Sequence, residues 1–288
     1  MTVRVVTDST ADLPPEVVQE LGITVVPLPV LFGDEVYRDG IDLSSEEFFE
    51  WLTTSPVLPT TSQPPVGAFL ETYRKLAAET DEIVSIHITA RASGTCESAL
   101  QASKSLGGSS RIEIVDSQSA SMGIGFQVMA AARAARAGAS LEEVAAAARS
   151  VGRRVHILAV LETLEYLRRG GRIGRAQAFL GSVLNLKPLI TIRDGVVHPV
   201  ARVRTRARAL DQIFRYCMAY GDLEEVAVMH GTTLEDAEML AQRVREHLPD
   251  VPIYVGRLGP ALGVHGGPGI IGMVVVEAEK AGASRGKD

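Results

Sequence analysis

EIVSIHITARASGTCESALQASKSLGGSSRIEIVDS, Glu82 to Ser117, contains the pattern that decides the fold. EIVSIHIT is short, apolar and rich in β-branched residues, which predicts a buried strand. The loop ARASGT follows, then the helix CESALQASKSL, then a second strand, RIEIVDS. A strand, a helix and a strand in succession imply parallel pairing and an α/β domain with helices on both faces of its sheet.

The same alternation extends toward the N-terminus. VRVVTDS reads as a buried strand ending at Thr7-Asp8-Ser9. LPPEVVQELG follows as a short helix, with prolines suited to its first turn and Gly22 to its end. ITVVPLPVLF reads as a second strand, placed at an edge or made irregular by Pro27 and Pro29. Ser44 to Glu47 form a capping-box pattern that opens the helix EEFFEWLTTS. PTTSQPP, residues 59–65, is a rigid polar loop feeding the helix VGAFLETYRKLAAET. Beyond Ser117 come two alanine-rich helices, the second opened by a capping box at Ser140 and Glu143. Residues 1–160 are therefore expected to form a parallel, Rossmann-like α/β domain.

After residue 160 the texture changes. LITIRDGVVHPVARVRTRA holds Asp194-Gly195 between two apolar runs, a strong hairpin signal. Hairpins mean antiparallel pairing, so residues 161–280 are expected to form an α+β domain with an antiparallel sheet. Its last strand candidate, GMVVVEAE, suits either sheet. The final residues, 281–288, read as a flexible polar tail.

Composition excludes several functional classes. The formal charge of −6 argues against a general attraction to nucleic acid or anionic membrane. The basic stretches also lack the interleaved aromatics of an RNA-binding surface. The two cysteines, Cys96 and Cys217, are too few for a disulfide framework or a four-ligand zinc site, and fit a reducing cytoplasm. The six histidines show no HxH or HExxH spacing, so no metal site is expected. With only a short apolar run before Asp8, the N-terminus is expected to carry no signal peptide, and no run of about 18 apolar residues that would span a membrane occurs in the sequence.

Gly267-Pro268-Gly269-Ile270-Ile271-Gly272 spells the dinucleotide pattern G-x-G-x-x-G. That fingerprint must open a helix and precede an acidic residue about 20 positions on. Here it leads into the strand-like Met273-Val274-Val275-Val276 near the chain end, so a tight glycine turn is the better reading. His265, beside the glycines, is expected to be accessible. His87, inside an apolar strand, reads as a core residue.

Ligands of open α/β sheets bind beyond the carboxyl ends of the strands. Hydroxyls fall in loops of that kind at Ser9, Thr61, Ser62, Ser93 and Thr95. Ser93 and Thr95 begin a helix, where they either cap it or help hold an anion. Thr60 to Ser62 either shape a turn or contribute to the same site. No G-x-S-x-G elbow marks a nucleophile. Asp8 and Asp12 read as turn chemistry. Arg168, Arg169, Arg172 and Arg175 surround a Gly-Gly turn, and Arg202, Arg204, Arg206 and Arg208 follow the hairpin. They form either a solvated surface or a contact for phosphate, carboxylate or an acidic partner.

Five blocks in order carry a resemblance: TDSTADLP near the start, PTTSQP at 59–64, SGT at 93–95, LRRGGRIG at 167–174 and HGGPG at 265–269. The chain resembles the DegV family of bacterial fatty-acid-binding proteins, which includes the binding subunits of fatty acid kinase systems. The resemblance implies two α/β domains with a lipid tunnel between them and the fatty-acid carboxylate near their junction. It implies that Thr61 and Ser93 hydrogen-bond that carboxylate and that His265 belongs to the same polar network. It implies a binding subunit rather than an enzyme, with the bound long-chain fatty acid as its ligand and no cofactor. A separate fatty acid kinase would be the partner, docked on Arg169, Arg172 and Arg202. The rival expectation is an enzyme acting on a small anionic metabolite at the same hydroxyl-rich cleft.

Overall fold

The β-branched stretches form strands and the amphipathic ones helices, sorted into two layered domains. The structure, a computed structural model, describes residues 2–108, 110–180 and 186–279, so the expected tail at 281–288 lies outside the described residues. The first part begins with β1 (Arg4–Asp8), α1 (Pro15–Leu21) and β2 (Thr24–Val26). A small excursion follows: β3 (Pro29–Phe32), β4 (Glu35–Arg38), α2 (Ser45–Thr54) and β5 (Thr60–Thr61). Then come α3 (Val66–Ala77), β6 (Glu82–His87), α4 (Thr95–Leu106) and β7 (Arg111–Asp116). Two helices, α5 (Met122–Arg136) and α6 (Leu141–Gly152), lead to the second part.

The first sheet is all-parallel, in the order β2-β1-β6-β7. Alternation along its strands serves two apolar layers. Val6 and Ile83 pack with Phe69 and Tyr73 of α3 and Ala99 and Ala102 of α4. Val5, Val84 and Ile86 face the other way, onto Ile124 and Val128 of α5 and Val144 and Ala148 of α6. Both capping boxes form, at Ser44 with Glu47 and at Ser140 with Glu143.

ITVVPLPVLF is not one strand. Its first half, β2, pairs with β1, and its second half, β3, leaves for a three-stranded sheet in the order β4-β3-β5. The break falls at Pro27-Leu28, where proline supplies no ladder donor. The segment read as a rigid polar loop also joins that sheet, with Thr60 and Thr61 opposite Leu31 and Val30.

The second part contains β8 (Val155–Val160), α7 (Glu165–Arg169), β9 (Lys187–Arg193), β10 (Val196–Val203) and α8 (Arg206–Met218). It continues with β11 (Leu223–His230), α9 (Leu234–His247), β12 (Ile253–Arg257), α10 (Pro260–Gly266) and β13 (Ile271–Glu277). Its six strands run β10-β9-β8-β13-β11-β12. All neighbours are antiparallel except β11 and β12, which α9 joins as a parallel crossover. β8 ends at residue 160, so the second sheet already includes chain from before the expected boundary. The last strand, β13, lies inside this sheet between β8 and β11. The Asp194-Gly195 hairpin forms with both residues at positive φ, 49° and 73°, the backbone that a two-residue turn of this hand demands.

A shared core joins the two parts. Phe48 and Phe49 of α2, Met122 and Phe126 of α5, and Ala261 and Val264 of α10 pack together with Met229 and Val274 of the second sheet. Gly263 lets α10 approach Phe48 closely, because a Cβ there would collide with the Phe48 ring.

Candidate functional site

The carboxyl ends of β1 and β6 and the loops after β6 and β7 face one surface of the second sheet. Between them lies a cavity of about 240 Å³. Its first-domain side includes Thr10, Ile88, Thr89 and Ser121, all just beyond strand ends. Its second-domain side is a sheet face carrying Ile157, Ala159, Ile190, Gly272 and Val274. One end is polar, with Thr61, Ser62, Ser93, Arg172 and His265.

Each polar group is brought there by a different element. Thr61 sits on the edge strand β5, and its Oγ1 lies 2.9 Å from His265 Nε2 across 204 residues of sequence. Ser93 precedes α4, and its hydroxyl is 2.8 Å from that of Thr95. Neither caps the helix with its side chain, because the N-cap position falls on Gly94 and carries no side-chain cap. Gln63 lies against Gly94, so the loops holding Thr61 and Ser93 touch. Arg172 follows the Gly-Gly turn; its Nε donates to the Ala92 carbonyl at 3.0 Å and its Nη1 to the Gly170 carbonyl at 2.7 Å. It therefore clips the second domain onto the loop that carries Ser93.

His265 departs from expectation. It does not ride on a glycine turn and is not freely accessible: it belongs to the last turn of α10, and the turn comes only after it, at Gly267. Gly170 packs flat against its ring, leaving Nδ1 buried and without a hydrogen-bond partner. Burial, with Arg172 nearby, pushes the imidazole down to about 4. At neutral pH it is an uncharged hydrogen-bonding group.

The three arginines expected to dock a partner occupy different settings. Arg169 is exposed and paired with Glu165 at 2.5 Å. Arg202 is exposed, with its guanidinium 4.6 Å from the Phe179 ring centroid. Arg172 lines the cavity instead of standing apart from it.

A second polar constellation has the geometry of a hydrolase triad. Ser85 Oγ lies 2.7 Å from His87 Nε2, and His87 Nδ1 lies 3.0 Å from Asp8 Oδ2. All three side chains are fully buried, so no substrate reaches the hydroxyl. The group ties β6 to β1, with Asp8 also accepting from the Ile88 and Thr10 backbones. His87 is thus a core residue, as read, but a hydrogen-bonded one. The Cys96 thiol, pushed up to about 12 chiefly by burial, is no nucleophile either.

Asp12 and Asp39 were legible only as turn residues or not at all, yet they anchor the site. Asp12 Oδ1 accepts the Gly259 N–H at 2.9 Å and Asp39 Oδ2 the Ala261 N–H at 3.4 Å. Those amides begin α10, so two first-domain carboxyls hold the helix whose last turn carries His265.

The sequence model described as "Uncharacterised protein, DegV family" matches residues 2–278. The chain belongs to the DegV family. A DegV domain-containing protein of Halalkalibacterium halodurans is 38% identical over 280 residues, covering 94% of this chain and 97% of that one. A DegV family protein of Thermus thermophilus, solved in a study of its fatty acid binding, superposes with a TM-score of 0.89. It is 35% identical, over 96% of this chain and all of its own. DegV of Bacillus subtilis, described as a fatty acid binding protein, gives the same TM-score at 32% identity and the same coverage. This DegV chain shares its fold with both. Among its described residues, no helix is long and apolar enough to cross a membrane, and no cluster of His, Cys, Asp and Glu could hold a metal ion.

Proposed function

We propose that this protein binds a long-chain fatty acid in the inter-domain cavity, with the carboxylate among Thr61, Ser93 and His265 and the chain along the second sheet. The observation that carries this reading is one cavity in which an apolar face of the second sheet meets the cluster of Thr61, Ser93, Arg172 and His265. At about 0.8 kcal/mol per buried methylene, a palmitate-length chain gains roughly 10 kcal/mol. A carboxylate is costly to bury without hydrogen bonds, and the hydroxyls of Thr61 and Ser93 supply them. The start of α4 and the Arg172 guanidinium add favourable potential.

His265 sets the direction of these bonds. Its Nδ1 faces Gly170 with no acceptor, so the ring proton is better placed on Nε2, donating to Thr61 Oγ1. That leaves the Thr61 hydroxyl proton free for the ligand. Mass spectrometry of protein purified under native conditions and then extracted tests the reading directly. A C14–C18 fatty acid at near one-to-one stoichiometry is expected. An empty protein that takes up no added fatty acid removes its basis.

The fatty acid is presented to a separate ATP-dependent kinase, which forms the acyl phosphate; no phosphate-binding Walker motif occurs in this sequence. Support comes from charge placement. Between Tyr166 and Arg208 stand nine arginines and Lys187 against one acid, Asp194, in a chain whose net charge is −6. The segment borders the cavity's polar end, so an acidic partner face would be steered to the carboxylate. Arg202→Ala is expected to leave fatty-acid binding intact and lower acyl-phosphate formation at limiting kinase about tenfold, the loss typical of a strong interface arginine. Unchanged turnover would remove Arg202 from the docking face.

A further inference from the structure

Thr61 and His265 lie 204 positions apart, yet their side chains meet at 2.9 Å. Neither is placed there by its own element alone. Thr61 stands on β5, a two-residue edge strand whose ladder partner is β3, with Val30 opposite Thr61. So short a strand takes its position from its neighbour, and β3 in turn is placed by its root. That root is Leu28, between the end of β2 at Val26 and the start of β3 at Pro29. Pro27 has ended one ladder and Leu28 has not entered the next, so its backbone groups need partners elsewhere. One pair of residues supplies both. The Leu28 N–H donates to Ser9 Oγ at 3.0 Å, and the Leu28 carbonyl accepts the Asp39 N–H at 2.9 Å.

Ser9 and Asp39 are themselves joined, the Ser9 hydroxyl donating to Asp39 Oδ2 at 2.7 Å. The same oxygen accepts the Ala261 N–H at 3.4 Å. Gly259, just ahead of α10, lies close on this carboxyl: a Cβ there would stand 3.1 Å from Asp39 Oδ1. Two short, rigid arms therefore leave one link. Along α10, Ala261 to His265 is four residues, about 6 Å of helix. Along β3, Leu28 to Val30 is two residues, about 7 Å of strand, and the ladder carries the position about 5 Å across to Thr61. The contact between Thr61 and His265 closes the ring. Asp39 is buried and Ser9 half-buried.

We propose that Ser9 and Asp39 are the positioning pair of the carboxylate site: their shared hydrogen-bond link sets the spacing of Thr61 and His265, and through it the preference for a free acid over a neutral acyl ester. The inference rests on the fatty-acid reading above. Leu28, Thr61 and His265 line the fatty-acid cavity, whereas Ser9 and Asp39 line a different cleft, so the pair acts through the other residues. A binding group works fully only when hydrogen bonds behind it hold it within about 0.5 Å of the productive geometry. Loosening the link costs the polar end its geometry and leaves the burial of the acyl chain as it was.

The test compares two ligands. Delipidated protein is titrated with palmitate and, separately, with methyl palmitate. Asp39→Ala removes the acceptor shared by Ser9 and Ala261. It should weaken palmitate about tenfold, the equivalent of about 1.4 kcal/mol, and change methyl palmitate by less than about twofold. A merely structural loss would weaken both ligands alike. Asp39→Asn keeps an oxygen for both donors and should return palmitate to within about twofold of wild type. Ser9→Ala cuts the link at its other end and should weaken palmitate about threefold, which keeps the test open should Asp39→Ala not fold. The double alanine variant should bind palmitate within about twofold of Asp39→Ala, because one link breaks only once. Unchanged palmitate affinity in the alanine variants, equal losses for acid and ester, or Asp39→Asn as weak as Asp39→Ala overturns the assignment. If the wild-type protein binds neither ligand, the fatty-acid reading itself fails, a result distinct from these.

Discussion

Replacing both Thr61 and Ser93 by alanine is expected to weaken fatty-acid binding by about a hundredfold or more while leaving the fold intact. A hydrogen bond to a charged group contributes about 1.5–3 kcal/mol, so two lost donors cost on the order of 3–5 kcal/mol. The effects should be less than additive, because both hydroxyls serve one carboxylate and each covers partly for the other. Stability should change little. Thr61 lies on an edge strand and, among the described residues, its hydroxyl meets only His265, while Ser93 meets Thr95 at the half-buried end of a loop. The methyl ester of the same fatty acid separates a carboxylate site from a general loss of cavity shape. Wild type and double variant should bind the ester alike, since the ester places no anion among these groups. A titration in which the free acid binds the double variant as tightly as the wild type would place the carboxylate elsewhere.

Sequence reading reached the parts of this molecule whose causes are local. A short apolar run rich in β-branched residues showed β6 as a buried strand, and serine–glutamate pairs showed where α2 and α6 begin. Asp194-Gly195 showed a hairpin because only certain residues adopt that backbone. The split of Ile23–Phe32 into strands of two sheets depends on what each half meets in space. So does the position of β13, whose run of valines would suit any buried strand. Thr61 and Ser93 stood out as loop hydroxyls, the carboxylate role given to them and to His265 came from family resemblance, and the structure brings Thr61 and His265 into contact. Missed were the burial of His265 and the placement of Arg172 in the cavity. The first follows from the close approach of Gly170, 95 positions away in sequence, and the second from the bond of Arg172 to the Ala92 carbonyl, 80 positions away. No local pattern could join Asp12 and Asp39 to Gly259 and Ala261.

That last connection yields a stability result with an unusual sign. Asp12 is fully buried, and burial above all pushes its carboxyl up to about 8, with repulsion from Asp39 and Asp8 adding to the shift. The hydrogen bonds from Ser121 and the Gly259 backbone oppose that shift without cancelling it. Asp39, buried beside it, is raised to about 6. The unfolded chain ionises Asp12 near pH 3.8, so between about 4 and 8 the folded state binds more protons than the unfolded one. Its contribution to stability is complete below about pH 4 and is lost as pH rises through 8. Asp12→Asn removes this titration while keeping an acceptor for Gly259 N–H and offering a donor to Ser121 Oγ. It should match wild type within about 1 kcal/mol at pH 5 and exceed it by on the order of 4 kcal/mol at pH 9, where the native protein must hold a buried anion. Asp12→Ala instead orphans the Gly259 amide and the Ser121 hydroxyl, and should cost about 2–4 kcal/mol at pH 7. It should also loosen fatty-acid retention, because the start of the helix carrying His265 is no longer held. His265 titrates with the opposite sign, between about 4 and 6.5, but does so in all three proteins and cancels from the comparison. Urea unfolding of the three at pH 5, 7 and 9 reads the effect. Parallel pH profiles for wild type and Asp12→Asn would mean that Asp12 is ionised in the fold throughout, and that the junction between the domains is held by charge instead of by a protonated clasp.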